Sequence, residues 1–142
     1  MSDANAAKSL NLWSGKLPGS CREDQLDHPA AKEIPNLVPF LLPADGTARP
    51  LVVVCPGGGY GCRAAHEGTP IAEWLNEIGL HAVVCNYRVY PWLYPTPLMD
   101  AQRAVRLVRA HAAEWGVDPS RIGVLGFSAG GHLACSVANF GD

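Results

Sequence analysis

Gly126-Phe127-Ser128-Ala129-Gly130 is a G-x-S-x-G pentapeptide, and Gly131 extends it. It follows the apolar run Ile122-Gly123-Val124-Leu125 and leads into His132-Leu133-Ala134-Cys135-Ser136-Val137-Ala138, a stretch compatible with a helix. A serine on a tight turn between strand and helix is the arrangement of a nucleophile elbow. Glycines are needed there because flanking Cβ atoms would collide where strand and helix nearly touch. The helix N-terminus behind the serine favours developing negative charge. The spacing therefore points to Ser128 as a nucleophile.

A second glycine cluster, Pro56-Gly57-Gly58-Gly59-Tyr60-Gly61, follows the apolar run Leu51-Val52-Val53-Val54-Cys55. Consecutive glycines let backbone N–H groups face a cavity without side chains in the way, which is what stabilising a tetrahedral oxyanion requires. The partner donor is expected from the residue after the nucleophile, the N–H of Ala129. Gly59-Tyr60-Gly61-Cys62-Arg63-Ala64 also matches G-x-G-x-x-A, a dinucleotide fingerprint. Two features weigh against that rival. The acid expected after the next strand is replaced by Asn86-Tyr87-Arg88, and the next helix begins near Thr69, too late to hold a pyrophosphate.

These groups need elements to hold them. Residues 1–36 are polar and broken by prolines, and read as an irregular N-terminal arm, with the domain proper over 37–142. Leu37 to Leu42 reads as a strand, placed at an edge by Pro39. Leu51–Cys55 and His81–Tyr87 read as strands covered on both faces. Thr69-Pro70 opens a helix that Gly79 closes, with Ile71, Trp74, Leu75 and Ile78 on one apolar face. Thr96-Pro97 opens a second, closed by Gly116, with Ala101, Ala104, Val105, Val108, Ala112 and Trp115 inward. Arg103, Arg106 and Arg109 fall off that stripe, on an expected solvated face. Asp118-Pro119-Ser120 turns the chain into the serine strand. Alternating strands and helices predict an α/β fold with a parallel sheet.

Composition narrows the function classes. The 142 residues are 48% hydrophobic and 17% charged, with a net charge of −2. This fits one globular domain, without the basic surface that nucleic acid or an anionic membrane would attract. No apolar run reaches the roughly 20 residues of a membrane span. Met1 to Lys8 carries an early acid and no apolar run follows, so no signal peptide is expected. The five cysteines are an odd set without a C-x-x-C pair. Three of them, Cys55, Cys85 and Cys135, lie in apolar runs and read as buried thiols. A cytoplasmic location is expected.

Taken in order, the Pro-Gly-Gly-Gly-Tyr-Gly loop, His66-Glu67-Gly68, Asn86-Tyr87-Arg88, Asp118-Pro119-Ser120-Arg121-Ile122 and Gly126 to His132 resemble the α/β-hydrolase superfamily. The nearest likeness is to its esterase/lipase branch, which holds acetylxylan-esterase-like and hormone-sensitive-lipase-like enzymes. The resemblance covers residues 34–142. It implies a partial α/β-hydrolase fold, a mostly parallel sheet with flanking helices that ends after the elbow helix. It also implies hydrolysis of carboxylic esters, often short acyl or acetyl esters of sugars, without metal or organic cofactor. By the same resemblance Ser128 is the nucleophile, and Gly58, Gly59 and Ala129 supply the oxyanion hole. Pro56 stands where part of the superfamily has a histidine.

The superfamily order is serine, acid, histidine, yet His28, His66, His81, His111 and His132 all lie at or before the elbow helix. The triad acid and base are therefore expected beyond residue 142, in a truncated sequence that alone is weak or inactive. His132 is expected to pack within the elbow helix, and His66 and Glu67 to cap or anchor a loop. Tyr60, Tyr90 and Trp92 are candidate substrate-lining residues. The alternative is that Tyr90, Trp92 and Tyr94 simply cover the core. The expected partner is a small ester, with neither nucleic acid nor membrane, and with self-association through an exposed sheet edge. Competing readings are an inactive binding module and a peptidase or acyltransferase variant of the same scaffold.

Overall fold

In a computed structural model, residues 8–140 are described. The strands are β1 (Leu10–Asn11), β2 (Ser20–Cys21), β3 (Asn36–Phe40), β4 (Arg49–Cys55), β5 (His81–Asn86), β6 (Trp92–Leu93) and β7 (Val117–Gly126). The α-helices are α1 (Thr69–Glu77), α2 (Thr96–Ala110), α3 (Ala112–Trp115) and α4 (Ala129–Asn139). Five strands form one sheet in the order β1-β3-β5-β4-β7. It is parallel across β5, β4 and β7, and antiparallel where β3 and β1 add at the far side. β1 reaches only Asn36 and Leu37, so among the described residues β3 has no strand partner on that side at Pro39. A proline, lacking an N–H, is tolerated at such a place.

The continuous apolar runs of β4 and β5 follow from burial on both faces. Alternate residues point to opposite sides. Leu51, Val53, Cys55, Val83 and Cys85 pack with Ala101, Ala104 and Val108 of α2 and with Leu133 and Val137 of α4. Val54, Ala82 and Val84 pack instead with Phe40 and with Ala72 and Leu75 of α1. The connection through α1 thus lies on one face and that through α2 on the other. The chain runs from β4 to β5 through α1 and from β5 past β4 to β7 through α2, so the loops after β4 and β7 leave neighbouring strands at their carboxyl ends, where the ligand crevice of open α/β sheets lies.

Several local expectations are revised. In α1 only Ala72 and Leu75 are buried, while Trp74 (50% exposed) and Ile78 (54%) face outward. The apolar stripe is thus wider than the contact α1 makes. The residue preceding that helix is Gly68, not Thr69. The second helical stretch breaks at His111, and Gly116 ends it in the left-handed conformation at φ 67°. Asp118-Pro119-Ser120 lies inside β7 as a bulge, four residues between partners of Arg49 and Leu51. Asp118 stabilises it by accepting from the Ser120 N–H (2.9 Å) and Oγ and from Arg121 Nε (2.8 Å). Cys135 is exposed, since its position on α4 faces away from the sheet, whereas Cys55 and Cys85 are buried. Arg103 is not merely solvated. Its Nε donates to Leu12 O (2.8 Å) and its guanidinium covers the Trp13 ring.

The segment before β3 is held to the domain by a buried ion pair. Arg88 Nε and Nη2 grip Asp100 at 2.9 and 2.7 Å, and both side chains are essentially inaccessible. Arg88 Nη1 also donates to Pro18 O (2.8 Å), and Trp13 Nε1 donates to Asp100 Oδ1 (2.8 Å). Two charges so enclosed are tolerable because every polar edge has a partner. Among the described residues no helix is long and apolar enough to cross a membrane.

Candidate active site

The tight turn between β7 and α4 lies where the sequence places it. Ser128 follows β7, stands immediately before α4, is exposed, and adopts φ 54°, ψ −117°. A Cβ on Gly126 would strike the carbonyl of Gly130, and one on Gly130 would strike the carbonyls of Cys55 and Pro56. These two glycines let α4 and β4 approach the strand end closely enough to force the turn. Gly130 N donates to Phe127 O (2.8 Å) and His132 N to Ser128 O (3.0 Å), closing the first turn of α4.

The loop after β4 is shaped peptide by peptide. In a trans peptide the C=O and N–H point in opposite directions, so anchoring the oxygen aims the hydrogen. The Pro56 carbonyl accepts the Tyr87 hydroxyl, and the N–H of the same peptide, Gly57 N, donates to Glu67 Oε1 (3.0 Å). The Gly57 carbonyl accepts Ala64 N (2.8 Å), and the Gly58 carbonyl accepts Gly61 N (3.0 Å) and Cys62 N (3.2 Å). The N–H groups of those last two peptides belong to Gly58 and Gly59. Neither they nor the N–H of Ala129 has an acceptor among the described residues. Gly58 (φ 142°) also lies where a Cβ would meet the Cys62 carbonyl. The loop touches the elbow, since a Cβ on Gly57 would strike Phe127 O.

Tyr87, fully buried beneath this loop, has its pKa raised, chiefly by burial. It therefore remains a hydrogen-bond donor at any working pH. Cys85 is likewise pushed up, first by its hydrogen bond with Cys55 and then by burial, so this buried thiol is a poor nucleophile.

Beside the elbow helix lies a cavity of about 240 Å³ lined by Tyr60, Trp92, Tyr94, Pro97, Leu98, His132, Leu133 and Ser136. Tyr60 and Trp92 thus share one wall system. Tyr90 does not line it; its ring meets His28 edge-on at 5.8 Å, and Tyr94 lines the cavity instead. The Tyr60 hydroxyl shares a 2.7 Å hydrogen bond with His132 Nδ1, and the two rings meet edge to face. His132 is therefore engaged with Tyr60. Among the described residues no histidine hydrogen-bonds the Ser128 hydroxyl. His81 is a strut far along the sheet: its Nδ1 accepts from Leu42 N (3.0 Å), and its Nε2 lies 3.1 Å from Gly116 O. Glu67 is the loop anchor that the sequence allowed, whereas Tyr87, at the end of a strand and in the Asn86-Tyr87-Arg88 motif, is given no such role by the sequence. A tyrosine one residue past a strand facing a glycine loop was the available signal.

Residues 40–142 match the BD-FAE family. The chain is 39% identical over 98 residues to an acetylxylan esterase of Xylanibacter ruminicola, covering 68% of this chain and 20% of that one. In structure it is similar to an acetyl ester-xyloside bifunctional hydrolase from Caldicellulosiruptor lactoaceticus (TM-score 0.81, 45% identity, 95% of this chain and 47% of that one). It is also similar to an alpha/beta hydrolase enzyme from a Medee basin deep-sea metagenome (TM-score 0.71, 34% identity, 73% and 46%). The chain thus spans about a fifth of that curated relative and just under half of either solved one.

Proposed function

The chain belongs to the BD-FAE family and has part of the α/β-hydrolase fold, and from that premise we propose that it carries the nucleophile and oxyanion hole of a serine carboxylesterase. The observation that carries this reading is the pairing of a strained, exposed Ser128 with a neighbouring loop whose Gly58 and Gly59 amides have no acceptor among the described residues.

In the proposed reaction a histidine takes the proton from Ser128 Oγ as the oxygen attacks the ester carbonyl. The negative charge on the carbonyl oxygen is met by the N–H groups of Gly58, Gly59 and Ala129. Collapse expels the alcohol, which receives the proton from the histidine, and water then releases the acid from the acyl-serine by the same steps. The base and its supporting acid follow α4 in this reading, by the superfamily order. Preorganised donors of this kind are worth roughly 3 kcal/mol each in the transition state.

The substrate class is short acyl esters, acetyl esters of carbohydrates among them. The names of the similar proteins support this. So does the aromatic cavity of Tyr60, Trp92 and Tyr94 beside α4, which offers flat apolar faces to a sugar ring or an acyl chain. The test is covalent. A fluorophosphonate probe applied to the full-length protein should modify Ser128 alone, and Ser128→Ala should remove the label. Adduct on Ser120 or Ser136, or equal labelling of Ser128→Ala, would overturn the assignment.

A further inference from the structure

The first peptide of the glycine loop is held at both poles by side chains that are not nearby in sequence. Tyr87, just after β5, donates its hydroxyl to Pro56 O, while Glu67 accepts from Gly57 N at 3.0 Å. Both anchors are themselves fixed. Glu67 ends a one-turn 3₁₀ segment (Ala65–Glu67) whose N–H donates to Ala64 O (3.0 Å), with Gly68 and α1 directly behind it. The backbone of Tyr87 is tied through its carbonyl to Arg63 Nη1 (2.7 Å), and Arg63 Nη2 reaches Glu33 (2.8 Å).

We propose that Glu67 and Tyr87 are positioning residues for the oxyanion hole, together fixing the Pro56–Gly57 peptide so that Gly58 and Gly59, and not Gly57, present free N–H groups to the substrate. This rests on the reading of the loop as the oxyanion hole. The logic is one of direction. Three successive amides could have faced the crevice. Glu67 takes the first, and the carbonyls of Gly57 and Gly58, bound by the Ala64, Gly61 and Cys62 amides, aim the next two the other way. Without the clamp the Pro56–Gly57 peptide can turn, and Gly57 on its carboxyl side has no Cβ to restrict φ. A donor displaced by about 1 Å loses on the order of 10²-fold in rate. The residue acts through geometry and exchanges no proton with substrate.

The experiment uses the full-length protein and two independent readouts. Glu67→Ala should lower kcat about 10- to 100-fold with KM changed less than about threefold, because the affected bonds strengthen only in the transition state. Glu67→Gln keeps an acceptor oxygen and should recover most of that loss, with an unaltered pH–rate profile. Tyr87→Phe removes the other pole while keeping its packing and should fall in kcat likewise. It also serves if Glu67→Ala does not fold. Amide hydrogen exchange over residues 55–64 should accelerate in Glu67→Ala and Tyr87→Phe, whatever the activity. Unchanged exchange would overturn the clamp itself. Faster exchange with unchanged kcat and KM would instead show that the loop is not the oxyanion hole, overturning the reading beneath. A Glu67→Gln variant as impaired as Glu67→Ala, with one limb of its pH profile lost, would make Glu67 a proton-transfer group and overturn the positioning role.

Discussion

Ser128 combines exposure with a backbone conformation, φ 54° and ψ −117°, that residues bearing a Cβ rarely adopt. Such a conformation costs about 1–3 kcal/mol. The cost is tolerable because α4 and β4 crowd the turn through Gly126 and Gly130. Glycine at position 128 would relieve that strain, at an entropic cost of roughly 0.5–1 kcal/mol from its freer unfolded chain. Ser128→Gly should therefore be more stable than Ser128→Ala by about 1 kcal/mol in urea unfolding, while both lose fluorophosphonate labelling. A Ser128→Gly variant less stable than Ser128→Ala would show that the turn is unstrained.

At the scale of elements, the packing of β4, β7 and α4 makes glycine obligatory in places and incidental in others. Gly130→Ala drives a methyl into the carbonyls of Cys55 and Pro56, both backbone atoms unable to swing away. The expected loss is about 3 kcal/mol or more, at the upper end of overpacking effects. Gly123→Ala, in β7 with nothing near its Cβ, should change stability by less than about 0.5 kcal/mol. Chemical denaturation of the pair checks this, and similar values would contradict the packing described. A second element-scale device is His81, which joins the start of β5 to Leu42 and Gly116. Burial is the largest cause holding its pKa below the ordinary 6.5. The unfolded chain thus takes up the proton first as pH falls, so protonation favours unfolding. The contribution is complete above pH 6.5 and is lost as pH drops through the lowered folded value. Relative to a His81→Gln variant, the wild type should lose stability between pH 7.5 and pH 5. A constant difference would exclude this coupling.

For the whole molecule, β7 is the exposed margin of the sheet. Among the described strands it pairs only with β4, and Ile122, Val124 and Leu125 are partly buried there. An apolar strand with one open ladder is a template for another chain. The 142-residue polypeptide expressed by itself should therefore associate, eluting above its monomer size. It should also hydrolyse p-nitrophenyl acetate near background, since no histidine side chain among the described residues hydrogen-bonds the Ser128 hydroxyl. A stable monomer turning over at ordinary enzyme rates, on the order of 1–10³ s⁻¹, would mean that an upstream group serves as the base.

The short-range grammar of this chain was legible in its sequence. β-Branched runs marked β4 and β5, Pro and Gly punctuated the helices, and the two glycine motifs located the turn at Ser128 and the loop at Gly57–Gly59. Those signals are local, because propensity, turn sterics and burial on both faces act over a few residues. The remaining features depend on what tertiary packing brings together. Whether Trp74 and Ile78 are core depends on how far the sheet extends beneath α1, which periodicity does not encode. The partnership of Arg88 with Asp100, Pro18 and Trp92 reaches up to 70 residues along the chain. The choice of Gly58 and Gly59 over Gly57 as free donors needed Glu67 and Tyr87, 10 and 31 residues from their contacts in sequence. Three adjacent glycines are equivalent in sequence, and only the side chains that occupy one of their amides make them different.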